Sequence, residues 1–194
     1  VVLPGYDHTL ARNDSWATAG IHIVGIGNGE NRPTLRYAAI GDQVDVAANY
    51  VHIKNLRFMA DADSVTIGLD LDTGFGGAHV ENCVFDWDSN AQNFVTMLRN
   101  GQDNVVIENN QFRAEDTAGT QIGVLLRAGI YPTVKNNFFY GQFDSVGSAA
   151  ATAAGAIVSD TTGAAMSGVN ISDNVIVSSD TAAALLINID GALT

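Results

Sequence analysis

One short motif recurs at a fixed interval along the chain. It consists of an apolar residue, a spacer, Asn, two further residues and Phe, and it is found in "YVHIKNLRF" (50–58), "GAHVENCVF" (77–85), "NVVIENNQF" (104–112) and "YPTVKNNFF" (131–139). The sequence numbers of successive asparagines differ by 27 each time, and a degenerate copy places Asp173 in the Asn position after a longer interval of 37. A fixed period in this range is typical of solenoids, propellers and arrays.

Within each copy the apolar residues alternate, as in Val51 and Ile53 or Val105 and Ile107. This period of two indicates β-strands, and no amphipathic helix of useful length is found. A propeller blade needs roughly 40 residues, and the signature of leucine-rich repeats is missing. The pattern therefore predicts an all-β fold: a right-handed parallel β-helix of about seven coils with a 27-residue period.

The repeated residues have structural explanations. Stacked coils lie about 4.8 Å apart, so equivalent side chains should lie on top of one another. An internal aromatic stack is expected from Phe58, Phe85, Phe112 and Phe139. The asparagines should occupy the corner between two strands, because Asn tolerates the left-handed conformation, and their amides should form a ladder. The predicted ladder consists of Asn55, Asn82, Asn109 and Asn136.

We predict a single domain over residues 1–194. It divides into an irregular first coil (1–40), regular coils (41–140), an inserted loop (141–168) and final coils (169–194). The loop is rich in small residues and should pack closely against a neighbouring subunit. Both chain ends are apolar, so we expect further residues of the same protein, or partner subunits, to cover them. No basic region precedes an apolar start, so no signal peptide is expected.

Charge excludes some classes of partner. The formal net charge is -12 and the chain has only two lysines, which disfavours nucleic acid as a partner. No long uninterrupted apolar run is present, so no membrane span is predicted. The single cysteine, Cys83, fits a small buried hydrophobic position. No cofactor is predicted.

The stacked motif resembles the right-handed parallel β-helix of the pectate-lyase-like superfamily over residues 20–180. The segments "VVLPGYDHTL", "GIHIVGIGNGENRPTLRY" and "VHIKNLRF" are similar, in order and spacing, to β-helix proteins encoded among tailed-phage structural genes. That resemblance covers about the first 90 residues. It implies a non-enzymatic virion protein, a capsid decoration or head-fibre component, and supplies no catalytic residues. We expect a homotrimer seated on a larger protein lattice such as a capsid.

Two acidic pairs leave an enzymatic alternative open. Asp70 and Asp72 lie on alternate positions of one strand, as do Asp86 and Asp88 on either side of Trp87. Paired carboxylates can serve glycoside hydrolysis, and an acidic face beside an aromatic residue can hold sugar or calcium. The motifs of pectate lyases and polygalacturonases are missing. The alternative is a carbohydrate-active enzyme or a receptor-binding tailspike module, and a third option is an extracellular bacterial adhesin.

The outward positions predict a column of histidines. His22, His52 and His79 precede the apolar anchor in three successive copies. Stacked neutral imidazoles on a solvated face explain this column, although imidazoles could also hold a transition metal. One position past the anchor, a charged ladder is predicted from Lys54, Glu81, Glu108 and Lys135.

Overall fold

The fold is built from short parallel strands. The computed structural model describes residues 2–3, 6–10, 13–89, 92–114, 121–143, 155–159, 166–178 and 187–188. We number the strands β1 to β23 in chain order and name the three large sheets A, B and C. Every strand pair in these sheets is parallel.

Each large sheet contains seven strands. Sheet A consists of β1 (Val2–Leu3), β4 (His22–Gly25), β7 (His52–Lys54), β10 (His79–Glu81), β13 (Val106–Glu108), β17 (Thr133–Lys135) and β21 (Asn170–Ser172). Sheet B consists of β2 (Asp7–Leu10), β5 (Thr34–Tyr37), β8 (Arg57–Ala60), β11 (Val84–Trp87), β14 (Gln111–Ala114), β18 (Phe138–Gly141) and β22 (Val175–Ser178).

Sheet C completes the coils. It consists of β3 (Asp14–Trp16), β6 (Val44–Val46), β9 (Val65–Leu71), β12 (Phe94–Asn100), β15 (Ile122–Leu126), β19 (Gly155–Ser159) and β23 (Ile187–Asn188). A minor sheet pairs β16 (Gly129–Ile130) with β20 (Met166–Ser167). One 3-10 turn, Gly29–Asn31, lies between β4 and β5.

The chain passes through sheets A, B and C in turn, which is the coil of a parallel β-solenoid. The predicted fold class is therefore confirmed. In the described ranges, five coils have a strand of three or more residues in every sheet, whereas β1 and β23 in the terminal coils have two residues each. About five turns are complete rather than the predicted seven. The spacing of the motif does not show that the strands of the first and last coils are shorter.

The aromatic stack lies inside the solenoid. Phe58, Phe85, Phe112 and Phe139 are fully buried, and successive ring centroids are 4.7, 4.8 and 4.8 Å apart with nearly parallel planes. Strand pairing holds them in register, and Ile176 occupies the next position after Phe139. An aliphatic column in sheet A runs beside them through Ile23, Ile53, Val80, Ile107, Val134 and Ile171.

The corner asparagines have the predicted backbone conformation. The φ angles of Asn55, Asn82, Asn109 and Asn136 lie between 52° and 60°, and that of Asp173 is 55°. Their side chains do not form the predicted continuous ladder. Among the described residues one link joins them, from Asn82 Nδ2 to Asn55 Oδ1 at 3.2 Å. At this corner Asn82, Asn109 and Asn136 are exposed to solvent, whereas the Asn55 amide donates to the carbonyls of Gly25 and Gly27 at 2.9 and 2.8 Å.

The continuous asparagine ladder lies one position further along. Asn137 Oδ1 accepts from Asn110 Nδ2 at 3.1 Å, and Asn174 Oδ1 accepts from Asn137 Nδ2 at 3.0 Å. Asn110 and Asn137 are buried, and their amides also donate to the carbonyls of Val80 and Ile107. This ladder satisfies backbone and side-chain polar groups that would otherwise be stranded in the core.

Cys83 occupies the same column one coil before Asn110. Its backbone N–H donates to Asn110 Oδ1 at 2.8 Å, and its thiol is buried. Burial raises the pKa of the Cys83 thiol to about 12, so it remains protonated and unreactive at neutral pH.

The segment predicted as an inserted loop, 141–168, contains regular strands. Gly141 ends β18, while β19 and β20 continue sheet C and the minor sheet. Strand pairing joins Ile122 to Gly155 and Gly129 to Met166, and both offsets exceed the regular period. The additional residues of this coil therefore fall partly before β19 and partly after it. Residues 144–154 and 160–165 lie outside the described part of the chain.

The predicted irregular first coil, 1–40, also follows the three-sheet pattern. It contains β1 to β5, and Leu35 of β5 pairs with Phe58 of the regular coils. The period is longer here, since Ile23 pairs with Ile53 whereas Ile53 pairs with Val80. In the described residues, no helix is long and apolar enough to cross a membrane.

We expect Phe112→Ala to lower the free energy of unfolding by about 3–5 kcal/mol, because it leaves a cavity between two stacked rings. Gln111→Ala, on the exposed face of the same strand, is the matched control and should cost well under half of that. Urea denaturation of both variants measures the difference. Equal losses would contradict the stacked core.

Candidate functional site

Three histidines lie side by side on the outer face of sheet A. His22 pairs with His52 and His52 with His79. The His52 and His79 rings are stacked, with centroids 4.6 Å apart and planes within 4°, whereas His22 meets His52 edge-on at 5.1 Å. The three histidines thus form the column that the sequence spacing predicted, although, among the described residues, His52 and His79 but not His22 belong to a group whose donor atoms lie close enough to a carboxylate to share one ion with it.

Two glutamates complete this face. His52 Nε2 lies 2.9 Å from Glu81 Oε1, and His79 Nε2 lies 2.9 Å from Glu108 Oε1. Lys54 and Lys135 pair with the same two glutamates at 2.8 and 3.1 Å. Each glutamate side chain extends diagonally to a histidine of the preceding coil while it also pairs with a lysine. The charged ladder predicted from the sequence is therefore connected to the histidine column.

The electrostatics of this face follow from its partial burial. The hydrogen bond from Lys54 lowers the pKa of Glu81 despite the opposing effect of burial. For Glu108, burial acts to raise the pKa, but hydrogen bonds from Lys135 and His79 outweigh it and the pKa is lowered. Burial, followed by the neighbouring His79, lowers the pKa of His52. At neutral pH both glutamates are ionised.

The outer face of sheet B carries an acidic and basic network toward its N-terminal end. Arg36 contacts Asp7 at 2.7 Å, Asp88 at 3.1 Å and Asp61 at 3.6 Å. The hydrogen bond from Arg36 lowers the pKa of Asp7, and Asp7 in turn raises the pKa of Arg36. The structure thus places Asp88, a sequence candidate, in an ion-pair network with arginine.

The second member of that acidic pair, Asp86, is 5% exposed and also bound by arginine. Arg57 Nε donates to both Asp86 oxygens, at 2.8 and 3.0 Å, and Arg113 lies 3.8 Å away. Trp87 does not belong to this acidic face. Its side chain packs against the hydrophobic core, because successive residues of a strand point to opposite sides of the sheet. Trp87 therefore does not share a face with Asp86 and Asp88, and sugar or calcium binding by this segment stays a prediction.

Sheet C brings the other predicted pair, Asp70 and Asp72, together with a third acid. Asp45 pairs directly with Asp70, and carboxylate oxygens of all three lie within 4.8 Å of one another. Asp70 is buried and bound by Arg99, whose Nε donates to Asp70 Oδ1 at 2.8 Å. Burial, then the charge of Asp70, raises the pKa of Asp72. Burial, then Asp72 and Asp70, raises that of Asp45.

Sequence reasoning missed Asp45 and Arg99. Asp45 lies outside the copies of the motif, in a coil whose spacing departs from the regular period. The signal that could find both residues is strand register: Asp45, Asp70 and Arg99 occupy one column across β6, β9 and β12. Arg99 offsets the charge of one of the two acids in this column. Asp45 and Asp70 together therefore retain one formal negative charge, and Asp72 adds another.

The C-terminal end of sheet B is apolar on its outer face. Register-matched outer positions of β18 and β22 hold Phe138 and Tyr140, then Val175 and Val177. Their exposed fractions are 39% and 47%, then 54% and 44%. We call these four residues the apolar end of sheet B. The same outer columns thus change from ion pairs to hydrophobic side chains along the solenoid axis.

A pocket of about 470 Å³ lies at the turn that leads from sheet C to sheet A. Its lining comprises Asn49, Tyr50, Gly74, Phe75, Gly76, Gly77, Gly101, Asp103 and Asn104. Its polar side chains also hold the turns: Asn49 Oδ1 accepts from Gly76 N–H, and Asp103 Oδ1 accepts from Ile130 N–H, both at 2.8 Å.

A second column of left-handed residues shapes this turn, and sequence reasoning missed it. Tyr50, Gly77, Asn104 and Tyr131 follow one another at the regular interval, and Gly168 follows after a longer one, all with φ between 52° and 75°. Tyr50 lies over Gly77, and Tyr131 lies over Gly168. The interval was visible in the sequence, but the residue types differ from copy to copy.

We expect Gly77→Ala to destabilise the protein more than Gly74→Ala. Both positions have positive φ, which costs an L-residue roughly 1–2 kcal/mol. A Cβ on Gly77 would also lie 2.5 Å from Tyr50 Cδ1, whereas one on Gly74 would meet nothing within 4 Å. Thermal unfolding should show an additional loss of about 1–3 kcal/mol for Gly77→Ala. The additional loss should disappear in a Tyr50→Ala background, and its persistence there would refute the proposed contact.

We expect Asp45→Asn to stabilise the protein at pH 7 by about 0.2–1 kcal/mol, because it removes a like charge opposite Asp70. A carboxyl whose pKa is raised in the folded state disfavours folding once the pH exceeds its ordinary value of about 3.9. The gain should therefore vanish below that pH, where the group is protonated in both states. Asp63→Asn, an exposed position with the same charge change, is the control for denaturation at both pH values.

Comparison with protein-family models, with curated proteins and with solved structures gave no match for this chain.

Proposed function

We propose that this chain is a non-enzymatic structural protein of a virion, a capsid decoration or head-fibre component. It acts as a homotrimer seated on a larger protein lattice. The observation that carries the proposal is the change along the outer face of sheet B, from compensated ion pairs to exposed apolar side chains. A face of this kind suits a rigid rod that is solvated along one part and held by protein contacts along another.

The ion pairs favour a structural role over hydrolysis. Arg57 binds Asp86, Arg36 binds Asp88, and Arg99 binds Asp70. A carboxylate whose oxygens already accept hydrogen bonds from arginine must give up those contacts before it can act on a substrate. Three of the four acids in the predicted pairs are therefore committed to contacts between coils.

The apolar end of sheet B supplies a contact surface. Phe138 and Tyr140 lie with parallel rings 6.5 Å apart, and the two valines extend the surface by one coil. Aromatic residues are enriched in the buried centres of protein interfaces. The resemblance of the N-terminal half of the chain to tailed-phage β-helix proteins is what makes a virion the proposed location of such contacts.

The test is the oligomeric state and particle association of the full-length protein. Light scattering after size exclusion should give a trimer, and the protein should bind purified capsids of its own phage. Phe138→Ser combined with Tyr140→Ser should weaken trimer formation or capsid binding by about tenfold or more, since truncating buried interface aromatics costs more than about 1 kcal/mol. Tyr50→Ser, at an exposed tyrosine elsewhere, should change neither property. A stable monomer that binds no capsid would overturn the proposal.

A carbohydrate-active enzyme is the second candidate, and one observation favours it. Burial, then the neighbouring Asp70, raises the pKa of Asp72, and a carboxyl with a raised pKa beside a second carboxyl is the pattern of a general acid and its partner. Release of reducing ends or unsaturated uronides from a polysaccharide panel, lost in Asp72→Asn and retained in Asp63→Asn, would establish this activity. On the structural proposal, neither variant nor the parent protein releases sugar.

A further inference from the structure

We propose that His52, His79 and Glu81 form a binding site for a divalent transition-metal ion such as zinc. The site lies on the outer face of sheet A and is independent of the role proposed above. Its three donor groups come from two adjacent coils, β7 and β10, so the ion would join neighbouring turns of the solenoid.

Strand register brings the donors together. His52 and His79 are direct cross-strand partners, and Glu81 follows His79 on the same face of β10. One nitrogen of each imidazole and one oxygen of Glu81 all lie within 4.8 Å of one another. Ligands of a tetrahedral zinc ion lie about 3.3 Å apart, given bonds of about 2.0–2.1 Å. The donor atoms would have to approach one another by up to about 1.5 Å, a movement that rotations about the side-chain bonds of the three residues would supply.

The chemistry of the donor set favours a transition metal over calcium. Two imidazoles and one carboxylate form a combination found at zinc sites, whereas calcium prefers oxygen ligands alone. The ion would take the place of the hydrogen bond between His52 Nε2 and Glu81 Oε1, which are 2.9 Å apart, and the imidazole proton would then be carried by Nδ1. Because the protein supplies three ligands, a fourth coordination position on the ion would be open to water.

A second carboxylate can orient one of the ligands. Glu108 Oε1 lies 2.9 Å from His79 Nε2, and Lys135 holds the other oxygen of Glu108 at 3.1 Å. Carboxylates beside metal-binding imidazoles commonly fix the ring orientation. The four side chains of His52, His79, Glu81 and Glu108 are 17–33% exposed, so the site is open to ions yet less solvated than a free surface.

One residue opposes metal binding and provides a directional test. The Lys54 ammonium lies 2.8 Å from Glu81 Oε1, the oxygen assigned to the metal. It must leave that oxygen when the ion enters. Lys54→Gln should therefore tighten zinc binding by about two- to fivefold, the factor expected from ion pairs of this exposure. A purely structural histidine column predicts no such gain.

The experiment is calorimetric titration of the metal-free, full-length protein with zinc chloride. We expect one ion per chain, with affinity lowered by about tenfold or more in His52→Asn, His79→Asn and Glu81→Gln. His22→Asn, in the same column but outside the donor set, should change affinity less than about twofold, within the tolerance of such surface effects. Asp72→Asn controls for binding at the sheet C cluster, and circular dichroism verifies the fold of each variant.

X-ray absorption of the zinc-loaded parent protein gives a readout that needs no variant. It should show two imidazoles in the first coordination shell. Absence of zinc binding, binding that survives all three ligand substitutions, or a shell without histidine would each overturn the proposal. So would weaker binding in Lys54→Gln.

Discussion

In-register parallel pairing of successive coils is the constraint on which the rest of this molecule depends. Backbone hydrogen bonds hold neighbouring strands about 4.8 Å apart, so each side chain lies directly above its counterpart in the preceding coil. The phenylalanine rings are stacked 4.7–4.8 Å apart because they take the spacing of the backbone strands that carry them. An inward column must therefore suit stacking throughout, and Phe, Ile, Val and hydrogen-bonded Asn all meet that condition.

The same pairing governs the outer faces, where its consequences are electrostatic. Identical charges in one column repel at close range, and the structure offsets this repulsion with basic side chains from neighbouring coils. Asp70 lies between Asp45 and Arg99, and Asp86 is bound by Arg57 from the preceding coil. In a chain of net charge -12 with only nine basic residues, such pairing uses arginines to bind acidic side chains of neighbouring coils. In sheet A, the flat imidazoles of His52 and His79 stack on each other and His22 meets His52 edge-on, so ring contacts hold this column together.

Corner residues were predictable where the residue type repeats and unpredictable where it does not. Asn55, Asn82, Asn109 and Asn136 share one residue type and the left-handed conformation expected of it. The other corner holds Tyr50, Gly77, Asn104 and Tyr131 in the same conformation, yet no common side chain marks it. Glycine there provides a flat surface for the tyrosine ring of the preceding coil, so the two residue types depend on each other across coils.

The sequence by itself determined the solenoid, its period, the phenylalanine stack and the order of the histidines, because each of these follows from a residue type repeated at a constant interval. Tertiary structure decided the rest. It placed the amide ladder at Asn110 and Asn137 rather than at the corners and packed Trp87 against the core. It also joined Asp45 to Asp70 and Glu81 to His52. These contacts depend on the side of the sheet from which each side chain projects and on whether it is long enough to contact a residue of the next coil diagonally. Spacing along one chain specifies neither of these, because face and reach are set by the pairing of strands.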